Sequence, residues 1–221
     1  MDPELSILMP KLRFIDTPLG VCLDGAGPQK LAALLAELDE LLATMGVNLD
    51  TVLQPGISAG EVRDTLATVD LVPPDELLVW YGWHNGLRVD ANNKYLGLSP
   101  FVAQADLDWS IGRYQYDVAD MIPLGLWMPK WLCIESDRGM AIHCSGNPTD
   151  LPLIRRPDAE IYDFLEESSE HQIVSLSTMV AMWIQALEEG IVWPVYSDGF
   201  LEWGFDGERL VEMDGGRCIL T

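Results

Sequence analysis

The chain of 221 residues is 48% apolar, enough to bury a core in one domain with additions, which argues against disorder over its whole length. Its 35 acidic residues against 13 basic ones give a formal charge of -22, a surface that repels phosphate backbones and anionic lipid, so direct nucleic-acid or membrane-surface binding is disfavoured. Cys22, Cys133, Cys144 and Cys218 are widely spaced with no CxxC pair, as expected of free, mostly buried thiols in a reducing compartment.

The opening MDPELSILMP has acids where a signal peptide needs a basic segment, and no apolar run approaches the ~20 residues of a membrane span, so a cytoplasmic location is expected. DTPLGVCLDGAGP then reads as an irregular or short extended arm. In PQKLAALLAELDELLATMG, Leu31, Leu34, Leu35, Leu38, Leu41, Leu42 and Met45 recur at helical steps, and Gly46 closes the helix. GVNLDTVLQPGIS reads as a connector. Ser58 and Glu61 have the spacing of a capping box, with Val62, Leu66 and Val69 as the buried side of the helix they open.

The prolines of LVPPDELLVWYGWHNG suit a first helical turn, with Asp75 and Glu76 against the positive end of the dipole. Leu77, Trp80, Tyr81 and His84 fall on one side, and Asn85-Gly86 supply a left-handed stop. The aromatic density of WYGWHNGL suits either a gripped ligand or an anchored helix. So short a helix draws its stability from tertiary packing, which makes anchoring the simpler reading.

Beyond Gly86 the pattern becomes extended. NKYLGLSPF is expected to be a short strand, and ADLDWSIGRYQYD a loop or a short helix over it. WLCIE and MAIHC flank a four-residue turn as a hairpin, and DLPLIRR offers a further strand. SLSTMVAMWIQALEEG is a helix with Leu176, Met179, Val180, Trp183, Ile184 and Leu187 on one face and Gly190 as its stop. The residues after Ile191 read as short, turn-separated extended pieces.

The order of these pieces resembles the SUKH superfamily, and more narrowly the Smi/Knr cell-wall-synthesis-regulator-like family. The resemblance is carried by Val72-Pro73-Pro74-Asp75 leading to Trp83-His84-Asn85-Gly86, by Trp131-Leu132-Cys133-Ile134-Glu135 with Asp137 and Gly139, and by Leu176-Ser177 opening the last helix. It implies an α+β fold, a bent and mostly antiparallel sheet flanked by helices, over residues 58–190. Residues 1–57 then form an N-terminal arm and helix, and 191–221 a C-terminal extension. It also implies a protein-binding role without catalysis. Bacterial members are typically immunity proteins that neutralise toxin domains, many of them nucleases or deaminases, and fungal members are regulatory scaffolds.

Read independently, the residues point away from an enzyme. His84, His143 and His171 show none of the spacings that zinc chemistry requires, so neither metal nor cofactor is expected. His143 and Cys144 are adjacent on a predicted strand and point to opposite faces, whereas Cys133 lies across the hairpin within possible approach of His143. DGAGPQK lacks the Lys-Ser/Thr of a phosphate loop and reads as a turn and cap.

Charge distribution discriminates better. Residues 157–221 carry 14 acids against Arg209 and Arg217, a net of -12, while the first 156 residues carry 21 against 11, a net of -10. Such a field steers a basic partner. The expected partner is a toxin domain with a basic cleft, and the expected contact residues are Asp163, Glu166, Glu167, Glu170, Asp198, Glu202 and Asp206.

Overall fold

The computed structural model describes residues 13–17, 20–88, 104–121, 123, 130–134, 141–146, 154–155, 172–173, 175–197 and 200–209. Within them the fold is α+β. The N-terminal arm is a hairpin, β1 (Phe14–Thr17) and β2 (Gly20–Leu23), followed by helix α1 (Pro28–Thr44). Leu31, Leu34, Leu35, Leu38 and Leu42 form the buried stripe of α1, and Gly46 at φ +82 follows its end.

The predicted connector is structured. Asn48 caps a short helix, α2 (Leu49–Val52), by accepting from the Asp50 N–H, and strand β3 (Leu53–Pro55) follows at once. Helix α3 (Ala59–Ala67) opens on Ser58, whose hydroxyl accepts from the Glu61 N–H as the capping spacing requires. Helix α4 (Asp75–Trp83) begins after the two prolines.

The predicted stop of α4 is not a stop. His84 has extended angles and opens strand β4 (His84–Leu87), which pairs antiparallel with β3. Asn85 instead accepts from the Leu107 N–H at 2.9 Å and so serves the start of helix α5 (Leu107–Tyr116), which Asp106 also caps. Gly86, at φ +84, lies where a Cβ would stand 2.7 Å from the Asp106 Cα and 2.9 Å from the Ala105 carbonyl carbon. Gly86→Ala is therefore expected to cost about 2 kcal/mol or more, since left-handed backbone alone costs a non-glycine residue ~1–2. Chemical denaturation measures it, and an unshifted midpoint would show that the α5 junction yields freely.

Beyond α5, where ADLDWSIGRYQYD is a helix, a π-helical turn (Asp117–Met121) buries Asp117, which accepts from Arg113 Nε at 3.1 Å. The predicted hairpin is present as β5 (Trp131–Cys133) and β6 (Ala141–His143), and the DLPLIRR strand as β7 (Ile154–Arg155). Strand β8 (Gln172–Ile173) precedes helix α6 (Leu176–Glu188), and the closing hairpin is β9 (Val192–Ser197) with β10 (Phe200–Phe205). The strand expected over 93–101 lies outside the described residues, as does the turn between β5 and β6.

The main sheet runs β1-β2-β8-β7-β6-β5, antiparallel except where Val21 of β2 meets Ile173 of β8. Helix α6 is its centrepiece and packs against α1, α4, β2 and β9. The sequence marks one apolar face on α6, but all residues from Leu176 to Leu187 are buried. A helix covered all round sits inside the protein rather than on it.

The polar residues of α6 have tertiary partners. Thr178 Oγ1 accepts from the Leu23 N–H at 2.9 Å, and Ser177 Oγ accepts from the Gly27 N–H at 3.2 Å, tying the N-terminal arm to α6. Glu76 stands in the first turn of α4 as expected and has a second, tertiary role. Its buried carboxylate accepts from the Leu176 N–H at 3.0 Å and from the Ser177 hydroxyl, so it satisfies the first turn of α6. Asp75 stays exposed, 3.9 Å from Arg63. Leucines of α1, aromatics of α4, strand residues of β5 and β6 and the apolar residues of α6 share one hydrophobic cluster.

Candidate functional site

The stretch WYGWHNGL divides into two jobs. Trp80 and Tyr81 are fully buried, Trp80 with its ring centroid 5.6 Å from Trp83 and 6.1 Å from Trp183, and Tyr81 with its hydroxyl 3.0 Å from Ser110 Oγ. Burial pushes the Tyr81 hydroxyl well above the ordinary phenol range, so it stays protonated. These two residues anchor the helix.

Trp83 and His84 are only half-buried and line a cleft of about 550 Å³ between the C-terminal half of α1, α2 and the α4–β4 junction. Trp83 lies off the Leu77–Trp80–Tyr81 stripe, and the helix turns it toward α1. Its indole N–H donates to both oxygens of Asp39, at 2.9 and 3.2 Å. His84 meets Trp83 edge-on, with centroids 4.6 Å apart. The His84 Nδ1 stands 2.9 Å from the Gln54 carbonyl oxygen, which can only accept, so Nδ1 carries a proton.

Asp39 and Asp50 supply the cleft with carboxylates. Burial raises the Asp39 carboxyl above its usual range and the negative charge of Asp50 adds to that, while the Trp83 hydrogen bond and His84 oppose it. Among the described residues no lysine or arginine lines the cleft. Sequence reasoning passed over Asp39 and Asp50 because acids on a helix and beside a cap look like solvated surface. Trp83, an aromatic one step off its helix's buried stripe, was the available signal.

Of the acids expected to meet a partner, Asp163, Glu166, Glu167, Glu170 and Asp198 lie outside the described residues. Glu202 is exposed on β10, directly opposite Val195. Asp206 is half-buried and accepts from the Arg209 N–H at 3.2 Å, so part of its capacity is spent locally. The face bearing Glu202 also presents Trp193, 42% exposed, and Val195, 37% exposed. The Trp193 ring lies over Gly204, its cross-strand partner, where a Cβ would stand 2.8 Å from Cζ2. Glycine there lets the ring lie flat.

The register sets Cys133 opposite Ala141 and Trp131 opposite His143, so Cys133 and His143 are not directly paired across the hairpin. The Trp131 and His143 rings stand 5.1 Å apart. Cys22, Cys133 and Cys144 are buried and outside any disulfide, as the spacing suggested, and burial pushes the Cys144 thiol far above its usual range. Among the described residues no group of three or more His, Cys, Asp and Glu side chains is placed to hold a metal ion. No described helix is long and apolar enough to cross a membrane.

Compared with known proteins, the chain matches no family model and no curated sequence.

Proposed function

We propose that the protein is a non-catalytic binding module, an immunity protein that neutralises a nucleic-acid-acting toxin domain in the cytoplasm by masking its basic site. The observation that carries this reading is the outward face of the β9–β10 hairpin, where exposed Glu202 stands beside Val195 and a Trp193 ring seated on Gly204. Interfaces of this kind are held by a few aromatic anchors and steered by surrounding charge. A two-stranded ribbon is marginal by itself, and β9 gains support from α6, so the anchor is presented on a braced element. The formal charge of -22 favours a basic partner. The resemblance to SUKH proteins, through the proline-started α4, the Trp131-Leu132-Cys133-Ile134 strand and the Leu176-Ser177 helix start, supports the same function.

The test is capture of the toxic domain encoded beside the gene, followed by association kinetics at low and physiological salt. Association should slow as salt rises, because exposed charges are screened over about 8–10 Å. Glu202→Gln combined with Asp206→Asn should lower the on-rate and flatten that dependence without moving the melting temperature, since asparagine keeps the cap acceptor. Trp193→Ala should speed dissociation by tenfold or more, as anchor truncations do. Failure to bind that domain overturns the immunity reading, and binding insensitive to salt and to all three changes moves the interface off this hairpin.

A further inference from the structure

We infer that the cleft between α1, α2 and the α4–β4 junction is a receptor for one cationic side chain, arginine ahead of lysine. For what presents that side chain, this inference rests on the binding-module reading above. The geometry is that of a half-built ion pair. Asp39 is gripped from one side by the Trp83 indole N–H at 2.9 and 3.2 Å, which fixes the plane of the carboxylate. The indole N–H lies between the two oxygens, so each of them keeps an outward acceptor position for a further donor. Asp50, exposed in the first turn of α2, contributes the other negative charge.

Two carboxylates in one cleft repel each other, and among the described residues no lysine or arginine lines it to relieve them. The ionisable residues facing Asp39 are Asp50 and His84. An entering cation is attracted to both acids at once, whereas an anion is repelled by both. The Trp83 and His84 rings supply the aromatic part of the wall, and a planar guanidinium stacks on aromatic faces while its several N–H groups reach different acceptors, which a compact ammonium does less well. With Nδ1 committed to Gln54, His84 in its neutral form keeps Nε2 as an acceptor. The Asp39 and Asp50 carboxylates are therefore acceptors suited to a cationic donor, and the Trp83 and Nδ1 donors beside them are already engaged.

The experiment is a titration of the full chain with N-acetyl-arginine amide, followed through the tryptophan indole N–H resonances, with N-acetyl-citrulline amide as the uncharged isostere. The Trp83 resonance, assigned by its loss in Trp83→Phe, should shift saturably with the arginine probe, and the citrulline probe should bind at least tenfold more weakly. Asp50→Asn, exposed and outside the core, should weaken binding threefold or more, and Asp39→Asn further. Unshifted Trp80 and Trp183 resonances would report an intact core in each variant. A linear response, an equal response to citrulline, or unchanged affinity in both variants overturns the receptor. Such a failure leaves capture of the toxic domain standing. Conversely, a positive titration without capture removes the immunity reading and keeps the cleft.

Discussion

Trp80→Ala should lower stability by about 3–5 kcal/mol, the usual cost of emptying a large aromatic site. The side chain is fully buried, and its ring bridges Trp83 on the cleft wall to Trp183 on the central helix α6. Helix α6 is already buried from Leu176 to Leu187, so it is held against moving into the space. The indole N–H of Trp80 finds no acceptor among the described residues. Trp80→Phe should therefore cost clearly less than Trp80→Ala, because it keeps an aromatic ring and removes a buried donor whose desolvation costs about 1–3 kcal/mol. Urea melts of the three proteins check both statements. An alanine variant with an unchanged midpoint would mean that Trp80 is not the anchor, and equal losses in the two variants would mean that the N–H has a partner.

Glu76→Ala is expected to cost about 1–3 kcal/mol, because it strands the Leu176 N–H in the interior, whereas the Ser177 hydroxyl keeps an acceptor in the Gly27 carbonyl oxygen at 3.1 Å. The carboxylate joins α4 to the start of α6, and Ser177 in turn holds Gly27 before α1. One side chain thus fixes three elements.

Burial holds the Glu76 carboxyl above its ordinary range, and the hydrogen bonds from Ser177 and Leu176 oppose that shift without cancelling it. A carboxyl whose folded pKa lies above its unfolded value contributes stability that is complete below the unfolded pKa and is lost as pH rises through the folded pKa. Wild type should therefore lose stability relative to Glu76→Gln, which does not titrate, as pH rises from below the usual carboxylate range to neutrality. Paired melts at acidic and neutral pH give that difference directly, free of the general charge repulsion that both proteins share. A gap between the two that stays constant or changes in the opposite sense would show that the hydrogen bonds outweigh burial.

The cleft and the core are mechanically linked through Trp80 and Trp83. Loss of Trp80 frees the inner face of Trp83, and with it the grip on Asp39, so Trp80→Ala should also weaken any ligand of the cleft beyond what unfolding accounts for.

The residues determined by themselves whatever depends on neighbours in the chain. The leucine spacing of α1, the Ser58 cap, the proline-started α4, the β5–β6 hairpin and the helix ending before Gly190 follow from periodicity, capping and turn chemistry, which act over a few residues. The α+β class follows from their order. What the sequence left open depends on partners far along the chain. His84-Asn85-Gly86 has the chemistry of a helix stop, yet pairing with β3 and the start of α5 make it a strand, because those hydrogen bonds come from residues some twenty to thirty positions away. Glu76 reads only as an acid at the positive end of its own helix dipole until Leu176 and Ser177, one hundred residues on, are folded against it. Asp39 and Asp50 look like ordinary surface acids, and only the packing of α1 and α2 beside Trp83 brings them to one cleft. Side-chain periodicity tells which face is buried, whereas the identity of what covers that face is decided by tertiary contacts that no local pattern encodes.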